Sequence, residues 1–114
     1  MKALFLAALV AASLFLVFRS RSRSSGRDER AHALVDAGGR LVDVRTPGEF
    51  GRGHIAGAVN IPVDELDGRF AELGPKSTPL VVYCASGNRS ARAKRVLEAA
   101  GFETVHDLKT QRAW

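Results

Sequence analysis

The segment that most limits the fold of this chain is residues 80–90. Leu80-Val81-Val82-Tyr83 runs without a polar break into Cys84, and Ala85-Ser86-Gly87-Asn88-Arg89-Ser90 follows as a polar stretch bearing a glycine. A short unbroken apolar run bounded by such a turn reads as a strand covered on both faces, the central position of a parallel sheet. The flanking pattern alternates to match. A helix capped by Asp28 is expected over residues 29–37, with Ala31, Leu34 and Val35 on one face and Gly38-Gly39 ending it. Strands are expected over residues 41–45, 58–61 and 104–106. Thr46-Pro47-Gly48-Glu49 carries a helix start: a capping Thr, Pro at the first position and Glu three residues on. Residues 64–73 read as a short amphipathic helix stopped by Gly74-Pro75. Residues 90–100 read as a longer one, with Ala93, Val96, Leu97 and Ala100 on one side and Gly101 after it. The expected fold is α/β, a small parallel sheet of about four to five strands flanked by helices on both faces.

With 114 residues, 46% hydrophobic and 25% charged, the composition is that of a globular chain with room for one small domain. The net charge of +5 suggests nucleic acid until its location is considered. Residues 1–27 hold Lys2, Arg19, Arg21, Arg23 and Arg27 and no acid, whereas in residues 28–114 the bases and acids balance. A neutral domain lacks the basic face that binding through counterion release requires, so no nucleic-acid partner is expected. One cysteine permits no intramolecular disulfide, and no Cys/His spacing forms a metal site, so neither a metal nor another cofactor is expected.

Residues 3–18 are apolar except for Ser13. As a helix they would cover about 24 Å of a hydrocarbon core of about 30 Å, and the arginines that follow can snorkel to extend the span. Phe18-Arg19 follows directly, without a small-x-small cleavage site, so the run at 1–18 reads as an uncleaved membrane anchor, with a cleaved signal segment as the alternative. The arginine bias behind the run places the domain on the cytoplasmic side; cleavage would instead export it. Residues 19–27 form a basic, flexible linker, and residues 28–114 form the domain.

Cys84 closes the central strand, where ligands of open parallel sheets bind. A loop curling from it towards a helix start turns successive backbone N–H groups inward, which favours thiolate over thiol. An inert buried cysteine belongs in apolar surroundings, and this loop is polar.

Several separated motifs, in order, resemble a single-domain rhodanese: Asp43-Val44-Arg45, Glu49-Phe50, Gly53-His54-Ile55-x-Gly57-Ala58-x-Asn60-Ile61-Pro62 and Cys84-x-x-Gly87-x-Arg89-Ser90. The resemblance covers residues 31–114. It implies a sulfurtransferase in which Cys84 takes a sulfane sulfur from a donor such as thiosulfate or a persulfide. The N–H groups of Ala85, Ser86, Gly87, Asn88 and Arg89 would cradle the resulting persulfide, and a thiol, cyanide or protein acceptor would remove the sulfur. Two features depart from the family: the extra strand before the first helix is missing, and Lys109-Thr110-Gln111 replaces the usual Gly-Gly pair before Trp114.

Cysteine phosphatases and arsenate reductases of related fold are the alternative, but they space nucleophile and arginine one residue further apart than Cys84-x4-Arg89. A non-catalytic, membrane-tethered binding module is a third possibility. Asp43 and Arg45 are expected to brace the loop, with Ser90 supporting it; Arg45 has a lesser claim to substrate contact. Arg89 either attracts an anionic donor or braces the loop through backbone carbonyls. His54 reads as structural, His32 and His106 as surface or packing residues, and Trp114 as a cover over an apolar edge.

Overall fold

The computed structural model describes residues 26–114. The apolar run at 3–18 lies outside the described residues, and among these no helix is long and apolar enough to cross a membrane.

Four strands form one sheet: β1 (Arg40–Asp43), β2 (Val59–Asn60), β3 (Leu80–Cys84) and β4 (Val105–Thr110). Their order is β2-β1-β3-β4, and every neighbouring pair is parallel. Helices α1 (Glu29–Asp36), α2 (Pro47–Gly51) and α3 (Asn88–Ala99) and three short 3-10 turns connect and flank them. Leu80, Val82 and Cys84 point into one apolar layer with Leu66, Leu73, Ala93, Leu97 and Phe102. Val81 and Tyr83 point into the other with Ala31, Leu41, Ile55 and Leu108. Both faces of β3 are therefore dry, which is why its sequence shows no alternation. Each buried Leu or Val contributes about 1.5–3 kcal/mol.

Local chemistry sets the ends of the helices. Asp28 Oδ1 accepts from Ala31 N at 3.0 Å and starts α1, as expected. At the end of α3, Gly101 takes φ 101, and Phe102 N donates to Leu97 O at 3.1 Å. That left-handed residue closes the helix as the sequence predicts.

Five segments differ from expectation. Residues 63–73 form two 3-10 turns, Val63–Gly68 and Phe70–Leu73, in place of one amphipathic helix over 64–73. The buried pairs Val63/Leu66 and the packed pair Phe70/Leu73 are each three residues apart, the spacing that a 3-10 turn eclipses on one side. β2 has only two residues and β1 stops at Asp43; beyond them the two segments stay tied by Asn60 Nδ2, which donates to the carbonyls of Asp43 and Arg45 at 3.0 and 2.9 Å, and by Val63 N, which donates to Val44 O at 3.1 Å. α3 starts at Asn88, two residues before Ser90. β4 starts at Val105, one residue after its predicted start, and runs four residues past its predicted end to Thr110, with a bulge: Val82 pairs with Asp107 and Tyr83 with Lys109, leaving Leu108 as the extra residue. Leu108 is buried beside Tyr83, and Lys109 is left at φ 73.

Candidate active site

Cys84 is the last residue of β3 and only 1% exposed. The chain reverses at once into α3 because Gly87, at φ 99, caps the helix with its backbone alone. That conformation is cheap only for glycine. It brings Gly87 N to 3.0 Å from Cys84 Sγ, donating to it. Ser90, in the first turn and fully buried, donates its hydroxyl to Gly87 O at 3.1 Å and accepts from the Cys84 thiol at 3.5 Å. When the thiol loses its proton, that hydroxyl can turn and donate to sulfur instead.

Burial pushes the Cys84 thiol up. The Ser90 hydroxyl and the backbone N–H groups of Ser90, Gly87 and Ser86 outweigh it, and the thiol lies below its ordinary value. The N–H groups of Ser86, Gly87 and Ser90 thus act on the resting thiol, and Ser90 lies just beyond the expected run from Ala85 to Arg89.

Arg89 makes its side-chain hydrogen bonds to a carboxylate. Its Nη1 and Nη2 donate to Glu49 Oε1 and Oε2 at 2.6 and 2.9 Å, a two-pronged pair joining α3 to α2. It braces the loop through a carboxylate, in place of backbone carbonyls, and does not line the pocket over Cys84. Glu49 also closes the capping box with Thr46 at the start of α2. The Arg89 guanidinium and Thr46 hold the Glu49 carboxyl down to about 2. The sequence shows Glu49 as a cap residue; nothing local shows its second role.

Asp43 and Arg45 form a second pair, almost wholly buried. Asp43 Oδ1 accepts from Arg45 N and Nε at 2.9 and 3.0 Å, and Oδ2 from Nη2 at 2.7 Å. Arg45 Nη2 also donates to Gly53 O at 2.7 Å. With its amide turned to match donors with acceptors, Gln111 accepts from both Nη1 and Nη2 of Arg45 at 3.2 Å.

An open pocket of about 430 Å3 lies over Cys84, walled by Arg45, Ala85, Thr110, Gln111 and Arg112. Arg45 thus both braces the site and borders it. A neighbouring hollow of about 460 Å3 shares Arg45 and Gln111 and adds Glu49, Arg52, Gly53 and His54. Thr110, Gln111 and Arg112 carry no motif in the sequence and enter the site only through the path of the chain after β4. His54 stacks on Phe50 at 3.6 Å with Nδ1 2.9 Å from Phe50 O, contacts of the kind expected of a structural histidine. His106 lies 2.7 Å from Asp28 Oδ2, a polar partnership in place of simple packing, and Trp114 stacks on His32 at 3.6 Å beside the second apolar layer.

A family model described as the rhodanese-like domain matches residues 28–110. The chain belongs to the rhodanese family. It is 40% identical over 101 residues to thiosulfate sulfurtransferase 16 of Arabidopsis thaliana, covering 78% of this chain and 83% of that one. Among solved structures, a rhodanese-like domain from Anabaena superposes with TM-score 0.63 at 35% identity, covering 67% of this chain and 88% of that one. A rhodanese with anions from E. coli superposes with TM-score 0.63 at 32% identity, covering 66% and 89%. As a rhodanese-family sulfurtransferase, the chain transfers sulfane sulfur through a cysteine intermediate, and it has a single cysteine.

Proposed function

We propose that Cys84 is the nucleophile that carries the sulfur, with thiosulfate as a competent donor. The observation that carries this reading is the sulfur at the floor of an open pocket with Gly87 N–H donating to it at 3.0 Å. Thiolate attack on the outer sulfur of thiosulfate breaks its S–S bond, and sulfite leaves with the bonding electrons. The persulfide's terminal sulfur remains in the loop. The chain's single cysteine provides no internal thiol to resolve it, so an external thiol, cyanide or a partner protein accepts the sulfur. The names of the Arabidopsis relative and the anions of the E. coli structure favour an oxyanionic donor. Phosphatase or arsenate chemistry is disfavoured because Arg89 is committed to Glu49 and the loop is one residue tighter. Intact-mass spectrometry tests the reading: the wild type gains about 32 Da, one sulfur, from thiosulfate and loses it to a thiol reductant. Cys84→Ser gains nothing; a mutant that still transfers sulfur at the wild-type rate would falsify the assignment.

Residues 3–18 tether this domain to a membrane, with residues 19–27 as the linker and the catalytic domain on the cytoplasmic side. The apolar run and the arginines Arg19, Arg21, Arg23 and Arg27 behind it support this. The full-length protein then resists high-salt and alkaline extraction from membranes, and a reporter after Trp114 reads cytoplasmic. A mature N-terminus near Ser20, or an extracytoplasmic reporter, would show a cleaved signal instead.

A further inference from the structure

Three arginines stand around Cys84, and two are already neutralised. Arg89 is held by Glu49, and Arg45 by Asp43, each through two nitrogens. The loop contributes only the uncharged Ala85 to the pocket wall. Arg112 differs from both. It is exposed, it walls the same pocket as Cys84, and it takes part in none of the ion pairs among the described residues.

Its backbone is fixed from both sides. Gln111 before it is pinned to the Arg45 guanidinium at 3.2 Å. After it, Ala113 O accepts from Asp28 N at 2.7 Å, and the Trp114 ring stacks on His32. The 3-10 turn Gln111–Ala113 therefore offers one unpaired guanidinium from an anchored turn to a pocket whose other charges cancel.

We propose that Arg112 is the specificity-determining residue for the donor: it binds the oxyanion end of a molecule whose outer sulfur faces Cys84. The favoured donors are then sulfane sulfurs borne on a sulfonate, inorganic thiosulfate and organic thiosulfonates. This inference rests on the sulfurtransferase reading above. The planar guanidinium fork matches two sulfonate oxygens. Cys84 thiolate and thiosulfate give Cys84 persulfide and sulfite, so charge and electrons balance without an oxidant. The departing sulfite keeps its oxygens on Arg112 while its sulfur takes the electron pair of the broken S–S bond.

Steady-state kinetics of the full-length protein with thiosulfate test this. Arg112→Gln raises KM about tenfold and leaves kcat within about twofold, because the lost contact is made in the bound donor as well as in the transition state. Arg112→Lys, which keeps the charge and loses the fork, falls between. Arg95→Gln removes the same charge from an exposed position on α3 and leaves KM unchanged. An unchanged KM in Arg112→Gln, with sulfur transfer intact, overturns the inference. A second measurement reads Arg112 without any sulfur transfer: alkylation of Cys84 by anionic iodoacetate and by neutral iodoacetamide. Arg112→Gln lowers the ratio of the two rates about threefold or more, since a local positive charge concentrates anions. An unchanged ratio also overturns it. A falling ratio in a protein that takes sulfur from no donor sinks the proposed function and leaves Arg112 as an anion-binding residue.

Discussion

Glu49 and Arg89, forty positions apart, meet through two parallel hydrogen bonds of 2.6 and 2.9 Å, and that pair joins the cap of α2 to the first turn of α3 beside the nucleophile. The loop after Cys84 is thus held from outside as well as by its own backbone. Arg89 therefore acts on the sulfur by fixing the positions of Ser90 and Gly87 and by the positive charge it keeps near Cys84.

Glu49→Gln keeps the helix cap, since Gln serves at that position as well as Glu, and removes the charge that holds Arg89. The Glu49 carboxyl falls from an ordinary 4.5 to about 2 in the folded protein. A depressed carboxyl stabilises fully above its unfolded value and loses that contribution as pH falls through its folded value. The difference in melting temperature between wild type and Glu49→Gln is accordingly constant above pH 4.5 and closes between 4.5 and 2. Thermal unfolding across that range checks it; a gap that persists at pH 2 would mean that the charge is not what Glu49 contributes.

Ser90→Ala removes the hydroxyl that faces Cys84 Sγ at 3.5 Å. A hydrogen bond to a charged group is worth about 1.5–3 kcal/mol, so reactivity towards iodoacetamide near neutral pH drops about tenfold or more. The alkylation profile moves to higher pH, because the thiolate has lost a donor while the burial that opposes it remains. A profile that superposes on the wild type would show that the backbone N–H groups alone set the thiol.

The parts legible in the sequence are those governed by local pattern. β3 shows itself by an apolar run, α2 by its capping box, and the end of α3 by Gly101. Cys84 shows itself by standing between an apolar strand and a polar turn. The start of α3 is hidden because Gly87 caps it with a backbone conformation and no side-chain bond, so the pattern points to the next hydroxyl, Ser90. The 3-10 turns at residues 63–73 imitate an amphipathic helix over so short a length. The Glu49–Arg89 pair and the wall of Thr110, Gln111 and Arg112 are products of topology: β4 runs parallel to β3 and delivers the following residues to the same sheet end.

Lys109 takes φ 73, a left-handed conformation that favours glycine, and its backbone N–H is held there by Asp107 Oδ1 at 2.9 Å. A left-handed non-glycine residue costs about 1–2 kcal/mol, partly offset by the greater chain entropy that a glycine would lose. Lys109→Gly therefore stabilises by about 0.5–1 kcal/mol, and Lys109→Val destabilises, its branched Cβ being the worse fit. Urea denaturation reads this as a higher midpoint for the glycine variant at unchanged slope. A lower midpoint for Lys109→Gly would place the value of Lys109 in its stem, which lies against Gly87.

Asp43 is fully buried, and its carboxylate accepts from Arg45 N, Nε and Nη2. Removing one partner of such a pair strands the other charge in a dry site, which costs about 3–5 kcal/mol, whereas replacing both with apolar groups is often near neutral. Asp43→Ala therefore destabilises by about that amount. Combining it with Arg45→Met, which removes the stranded guanidinium and roughly keeps its length, recovers a large part of the loss. Denaturant midpoints of the two single variants and the double give the coupling directly. Activity behaves differently: the double variant stays impaired, because Arg45 also anchors Gln111 and borders the pocket over Cys84. Simple additivity of the two substitutions would mean that the pair is not the coupled unit its geometry describes.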